Sequence, residues 1–499
     1  MILKKTFWIL FLFLLFCTRE NDSVKETILA QVGSKTISVN EFIRRAEYTI
    51  RPPWCKNDDY IARKVVLNSL IAEKLMALDA GEPGEIVNNE EINLYLQGRK
   101  EQAMRQIHFD ELAMKKVNIE SVDLKTPLEM AERRYNITVI PINDDNLAGR
   151  IKNDLESQKI TFDELADEFT MASKQELDEQ EIAFDSPADD ALFKALYMNK
   201  TSDKQVIGPV KIDKNNHLLI KINGWTRRPV ISEKDINQKY TDVKDKISEV
   251  AARDIYVDLI AGMMKGKKLD FNAKTFEALV NIIGPDYFKT EKDKENAFNK
   301  RFWGKDNDEM VVDDLASKME KILDDPLLEI DGETWTVRRF EKEIKIHPLV
   351  FRNRKMPKED FTNEFRLAVA DLIRDKYITE DGYKKGYDKD PRVIRNTEMW
   401  KDNIISLYQR NKILTDKKDE KSLPNTIVNK YLNPVVESLR KKYQDQIFIN
   451  TDEFEKINLT SVDMFVIQKN MPFPVLVPQF PVLTTHNKLD YGQKMLTLK

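Results

Sequence analysis

Histidine and cysteine are the side chains that most often bind metal or act as nucleophile and base. This chain of 499 residues carries only four of the first and two of the second. His108, His217, His347 and His486 stand far apart in sequence, and none has a second His or Cys at metal-ligand spacing. No G-x-x-x-x-G-K-[ST] phosphate loop, G-x-G-x-x-G, G-x-S-x-G elbow or H-E-x-x-H occurs. Lys305-Asp306-Asn307-Asp308-Glu309 lacks the glycine and closing glutamate of a calcium loop, so it reads as a solvated turn. No metal, nucleotide or other cofactor is expected. The remaining chemistry is binding, or a reaction in which no covalent bond is broken.

The elements that would position such a site are helices more than glycine loops. The 15 glycines make up less than half of the usual share of about 7%. With 41% apolar residues there is material for packed cores, and the length corresponds to roughly three or four structural units. The 80 Lys plus Arg are interleaved with 84 Asp plus Glu, giving a net charge of −4 and no basic stripe. Phosphate contacts need clustered cations, so a nucleic-acid partner is not expected.

Residues 1–17 run from Lys4 and Lys5 through an unbroken apolar stretch, Phe7 to Phe16, to Cys17. As a helix the apolar run would span about 15 Å, half of what a bilayer core demands. It fits the apolar core of an export signal. Leu14-Leu15-Phe16-Cys17 resembles a bacterial lipobox, with Phe16 where a small residue usually stands. Lipidation at Cys17 and an uncleaved signal anchor are the two readings, and both give an exported, membrane-tethered chain. Without residues 1–17 the net charge falls from −4 to −6 and Cys55 is the single remaining thiol, so no internal disulfide is available.

Two distant stretches echo one another. Val32-Gly33-Ser34-Lys35-Thr36-Ile37-Ser38-Val39, leading to Glu41 and Phe42, predicts a hairpin that runs into a helix. Ile330-Asp331-Gly332-Glu333-Thr334-Trp335-Thr336-Val337, leading to Arg339 and Phe340, predicts the same. Ser38 with Glu41 matches a capping box, whereas Thr336 with Arg339 does not. Farther on, Leu70-Ile71-Ala72-Glu73-Lys74-Leu75 corresponds to Leu372-Ile373-Arg374-Asp375-Lys376-Tyr377. Repetition at this scale is a duplicated domain. Further helices are expected over roughly 90–116 and 236–262, and on a four-residue stripe of Ile427, Tyr431, Val435, Leu439 and Tyr443. Asp286 to Asp325, with Phe298, Phe302 and Trp303, reads as a helical connector.

Between the echoes the pattern is strand (137–142), three helices around Leu147, Phe162 and Leu192, then strands at Gly208–Ile212 and His217–Ile222. That is a small α+β domain. Phe162-Asp163-Glu164-Leu165-Ala166, the helix with Phe193 and Tyr197, Gly208-Pro209-Val210 and the strand opening at His217 resemble a parvulin-type prolyl isomerase. The flanking stretches, above all Val32-Gly33 with Ile37 to Phe42, resemble the helical chaperone module of the SurA, PpiC and PrsA foldases.

This resemblance implies an α+β fold: duplicated helical chaperone modules flanking a parvulin-like domain with an antiparallel sheet. The divisions are 1–17 (signal), 18–133 (first module), 134–226 (parvulin-like), 227–325 (completion of the first module, and connector), 326–460 (second module) and 461–499 (an extended, proline-rich segment). It also implies a chaperone of unfolded or nascent envelope proteins, periplasmic and membrane-anchored, in the setting of outer-membrane biogenesis. Prolyl isomerisation crosses a barrier of about 20 kcal/mol with no bond broken, through an apolar pocket and local dipoles. In the family, two histidines and a Cys or Asp sit beneath the proline, beside aromatic walls. Here the second histidine falls on His217 and the aromatic wall on Phe193 and Tyr197, while Thr138 replaces the first histidine. Ala172, next to Met171, takes the Cys/Asp position, and acidic Lys174 to Asp190 replaces the Gly-Gly-x-Leu-Gly stretch. His217 is thus the candidate catalytic residue, with Phe193, Tyr197, Thr138 and Met171 as substrate contacts, and catalysis is expected to be weak or absent. An active isomerase and a structural envelope lipoprotein that binds one folded partner are the alternatives. Met471-Pro472-Phe473-Pro474-Val475-Leu476-Val477-Pro478 and the residues to Leu483 are apolar yet barred from helix by proline. That segment has three readings: it docks across the protein's own client groove, binds a partner, or packs along a module as a strap.

Overall fold

The computed structural model describes residues 26–495, apart from 56–59, 122–123, 175, 178, 187, 214, 228–231, 289–317, 354–355, 416, 418–423 and 460–470. The expected export signal with Cys17, and Phe298, Phe302 and Trp303 of the expected connector, lie outside the described residues. The chain is α+β and mostly helical, and its described residues form three small sheets whose strand pairs are antiparallel but for one.

The first core is built on a hairpin, β1 (Ile28–Val32) and β2 (Lys35–Ser38), turning at Gly33 with φ of 58°. Ser38 closes β2 and caps α1 (Val39–Glu47) by accepting the Glu41 N–H at 3.0 Å. The Glu41 carboxylate reaches Lys74 at 3.0 Å, so the expected capping box is realised on one side only. Helix α2 (Tyr60–Ala80) is buried without a break from Val65 to Ala77, the mark of a helix enclosed on every side. The enclosure comes from both ends of the chain. Helices α11 (Pro391–Leu414) and α12 (Asn433–Lys442) pack on α2, and strand β10 (Ile447–Ile449) pairs with β1. The sheet is completed by β11 (Gln493–Lys494), in the order β11-β10-β1-β2.

The second core has the same order of elements. Hairpin β8 (Pro326–Ile330) and β9 (Glu333–Thr336) turns at Asp331 and Gly332, both at positive φ. Thr336 caps α9 (Val337–Ile346) by accepting the Arg339 N–H, and α10 (Phe361–Lys384) follows. Trp335, Phe340 and Phe365 are buried as Ile37 and Phe42 are in the first core. Here β7 (Leu269–Phe271) extends the sheet and α8 (Ala273–Tyr287) closes the core with Phe276 and Leu279.

These pairings correct two expected divisions. Residues 391–459 complete the first core and do not belong with 326–390, because β10 hydrogen-bonds to β1 and α11 and α12 shield α2. Residues 269–287 complete the second core and not the first, because β7 pairs with β8. The period-four stripe holds at Leu439 but is displaced by one residue before it, from Ile427, Tyr431 and Val435 to Val428, Leu432 and Val436. The chain is π-helical from Val428 to Leu432, and Val428, Leu432, Val436 and Leu439 are the buried set.

The middle domain has sheet order β4-β3-β6-β5, from β3 (Arg133–Ile142), β4 (Glu179–Ile182), β5 (Val206–Lys211) and β6 (His217–Arg227). Helices α4 (Asp145–Glu156) and α5 (Phe162–Ser173) cover the face bearing Ile140, Ile142 and Leu219. Helix α6 (Asp190–Tyr197) and the first half of α7 (Glu233–Met264) cover the face bearing Tyr135, Ile137, Ile220 and Ile222.

Helix α3 (Glu90–Leu112) links the cores. A Cβ on Gly98 would sit 1.9 Å from the Ile346 carbonyl oxygen, so α3 meets the end of α9 at a distance only glycine permits. Ten residues on, His108 lies buried between Tyr256 of α7 and Asp381 of α10, each 2.9 Å away. An ionised Asp381 only accepts, so Nε2 carries the proton and the Tyr256 hydroxyl donates to Nδ1.

Candidate functional site

The five candidate residues of the middle domain do not converge. Phe193 and Tyr197 are core, 2% and 0% exposed, and lie on the α6–α7 side of the sheet. The Tyr197 hydroxyl is 3.1 and 2.8 Å from the Arg133 and Ile182 carbonyls, which fixes it as a structural residue. His217 and Thr138 occupy positions of the opposite face. Thr138 is opposite Lys221 and His217 opposite Ile142, so at about 3.3 Å per residue they stand about 13 Å apart. Thr138 accepts from Asn223 at 2.9 Å. His217 has Nε2 3.3 Å from Asp145 and a buried Nδ1 without a hydrogen bond. Met171 is 80% exposed on α5. The aromatic pair expected to wall a proline pocket is therefore spent on packing, on the far side of the sheet from the histidine.

A different site is assembled on the first core, around the proline-rich segment. Residues 471–492 run without helix or strand across α2, α3 and α11. Phe473, Phe480 and Leu483 are buried along it. Between them, side-chain donors hold main-chain carbonyls. Gln102 and Gln106 of α3 donate to the Pro474 oxygen at 3.2 and 2.7 Å. Arg45 of α1 and Asn403 of α11 donate to the Gln479 oxygen at 3.0 and 3.3 Å. Asn68 of α2 donates to the His486 and Lys488 oxygens at 2.9 and 3.0 Å, while its own oxygen accepts from Arg440 and Tyr491. All four hydrogen-bonding capacities of that buried amide are filled.

Two of these donors, Arg45 and Asn403, are held through Glu73 in a buried ionic network. Arg45 meets both oxygens of Glu73 at 2.8 Å, and Lys74 bridges Glu41 and Asp402 at 3.0 and 3.1 Å. Burial would lower the pKa of Arg45 and Lys74, but the carboxylates around them outweigh it and both are raised. Burial raises the Glu41 carboxyl, with Lys74 opposing. At the start of the strap, the Phe473 ring lies 5.6 Å from the Arg105 guanidinium and 6.1 Å from the Tyr256 ring. Beside it opens a cleft of about 670 Å³, bordered by Met471, Phe473 and Val475 of the strap and floored by Ile107, Phe109 and Met399.

The extended character of the strap was legible in its prolines, but its partners were not. Gln102 and Gln106 look like any exposed helical glutamine. Asn68, Glu73 and Lys74 did carry a signal, as polar residues embedded in the otherwise apolar run from Val65 to Ala77. Among the described residues, no group of His, Cys, Asp and Glu could hold a metal ion, and no helix is long and apolar enough to cross a membrane. Comparison with protein-family models, with curated proteins and with solved structures finds no match for this chain.

Proposed function

We propose that this protein is an exported, membrane-tethered chaperone of the bacterial envelope, which holds unfolded or nascent exported proteins in extended form. The carrying observation is the strap itself: an extended, proline-rich stretch held on helices by its carbonyls and by apolar side chains in pockets. Such contacts are indifferent to most of a client's sequence, which is what a general holdase requires. The common order of hairpin, capped helix and long buried helix at 28–80 and 326–384 supports reading the flanks as duplicated SurA-like modules. The middle domain, an antiparallel sheet with helices on both faces, supports the parvulin-like reading of its fold. Its scattered His217, Thr138, Phe193 and Tyr197 support a binding or spacing role without catalysis.

The test is refolding of a client whose slow phase is limited by proline isomerisation, with residues 18–499 added. Improved yield near equimolar protein, with the slow phase unchanged, is the expected result. Acceleration at trace amounts, abolished by His217→Ala, means an isomerase. No effect on yield or rate across several clients sinks both.

A further inference from the structure

The chaperone reading can be sharpened to one site and one class of ligand, because the strap is held in two different ways. From Pro478 onward it is structural. Phe480 and Leu483 fill the first core, Asn68 and Arg45 clamp the carbonyls, and Gln493–Lys494 adds a strand. Met471–Val475 has fewer anchors in the core, though the Met471 sulfur lies 3.8 Å from Arg253 Nη1 and packs beside Phe473. Phe473 is the one buried side chain of the five, and Gln102 and Gln106 supply the described hydrogen bonds to a carbonyl. Met471 and Val475 border the 670 Å³ cleft without filling it.

The lining chemistry specifies what the cleft takes. Its floor is apolar: Val39 of α1, Ala103, Ile107 and Phe109 of α3, Val393 and Met399 of α11. The carboxylates at its rim are paired, Glu26 with Arg395 at 2.6 Å, Asp110 with Arg392 at 3.1 Å and Glu249 with Arg253 at 3.7 Å, while exposed Arg44 also lines it. A cationic occupant therefore finds the rim carboxylates already taken, and the apolar floor disfavours burying a charge of either sign. Gln102 and Gln106 address a carbonyl, and the Phe473 pocket addresses a side chain, and proline lacks neither. A site that added a strand to a sheet would instead demand main-chain N–H groups. Proline also favours the extended conformation, which reduces the entropy lost on binding.

We propose that Met471–Val475 is a built-in competitor, and that the cleft binds uncharged, extended client segments of the same chemistry: apolar and aromatic residues interspersed with proline. A client segment displaces Met471–Val475, takes the aromatic pocket beside Arg105 and Tyr256, and accepts from Gln102 and Gln106. A segment tethered by a short linker acts at an effective concentration of the order of millimolar. Free peptide therefore binds weakly until the tethered rival is weakened.

The test uses a fluorescein-labelled peptide, Met-Pro-Phe-Pro-Val-Leu-Val, titrated by anisotropy into residues 18–499. The Phe473→Ala protein is expected to bind it at least ten-fold more tightly than the unsubstituted one. Adding Gln102→Leu and Gln106→Leu to Phe473→Ala should reverse most of that gain, and a peptide with Asp in place of Phe should not bind. Should Phe473→Ala melt early, the Met471→Ala, Val475→Ala protein, altered at two half-buried positions, is expected to show the same gain. Equal affinity for substituted and unsubstituted proteins, or no binding to either variant, overturns the proposal. Aggregation suppression in the same samples separates the two levels. If it persists without peptide binding, the site is misassigned and the chaperone reading stands; if it is absent as well, the chaperone reading falls first.

Discussion

The two hairpin–helix–helix regions each pair a charge on the first helix with one on the second, and they treat that pair in opposite ways. In the first, Arg45 of α1 faces Glu73 of α2, with neither side chain exposed at all. In the second, Glu343 of α9 faces Lys376 of α10 at 2.6 Å with 20% and 29% of the side chains exposed, beside a cleft of about 380 Å³. The difference lies in what covers them. Asn403 of α11 and the Gln479 carbonyl close over the first pair, adding a donor to Glu73 and an acceptor to Arg45, whose buried Nε alone is left without a hydrogen bond. One order of elements thus yields an ion pair sealed under a strap and another that opens on a polar cleft. Burying a charge costs least where an opposite charge and most of its hydrogen-bond partners are supplied.

The widest separation between the regions should appear when each pair is broken. Glu73→Gln leaves Arg45 charged and enclosed, and is expected to cost about 3–5 kcal/mol. Glu343→Gln, at a half-exposed pair, is expected to cost less than about 1 kcal/mol. Urea unfolding of residues 18–499, followed by tryptophan fluorescence, measures both. Equal costs would mean that burial is not what distinguishes the two sites.

The strap sharpens the contrast at the next level. The position in α10 that corresponds to Asn68 is Ala370, and Asn68 is the residue that clamps the strap. Asn68→Ala deprives the His486 and Lys488 carbonyls and Arg440 of a partner, with an expected loss of about 3 kcal/mol. Limited proteolysis should then cut within 471–495 well before it cuts elsewhere. Unchanged protection would mean that the apolar anchors alone hold the strap.

The junction between the regions supplies a pH dependence. Burial lowers the pKa of His108, against its Nε2–H hydrogen bond to Asp381, which would raise it. A histidine with a depressed folded-state pKa binds its proton more readily when unfolded. Stability is therefore complete above the unfolded value of about 6.5 and declines as pH falls below it, by at most about 1.4 kcal/mol per pH unit. His108→Gln should flatten the stability profile between pH 6.5 and 5. A profile of unaltered slope would assign the effect to other groups.

How much of this was readable beforehand depended on how local the signal was. Gly33 and Asp331-Gly332 announce their turns, and Ser38 and Thr336 their helix starts, because those choices are made within a few residues. Beyond that range the sequence misled. Strand β10 follows the second hairpin in sequence yet pairs with β1, a long-range hydrogen-bonding choice that no periodicity records. Strand β4, Glu179-Gln180-Glu181-Ile182, has three exposed residues out of four and shows no alternation, so an edge strand hid in an acidic loop. Phe193 and Tyr197 fitted a motif by order alone, and order does not say which face of a sheet a helix will cover. The glutamines that address the strap were legible only once the strap had a place to lie.

The smallest expected effect tests whether the two cores are independent. Cys55 lies in the first core with none of its surface exposed, and burial pushes its thiol up to about 12, against the nearby Arg51. A thiol so placed reacts only after the core opens, since the thiolate is the nucleophile and is scarce at neutral pH. In residues 18–499 it is the single thiol, so its labelling rate reports the opening of the first core. Lys376→Met, confined to the open cleft of the second core, is expected to leave that rate unchanged. Asn68→Ala should raise it, because the freed strap exposes the helix that Cys55 packs against. If Lys376→Met accelerated labelling as much as Asn68→Ala, the cores would open as one unit. Gly98 against Ile346, with His108 against Asp381, would then be more than a hinge between them: a weld that makes sealed and open halves a single cooperative body.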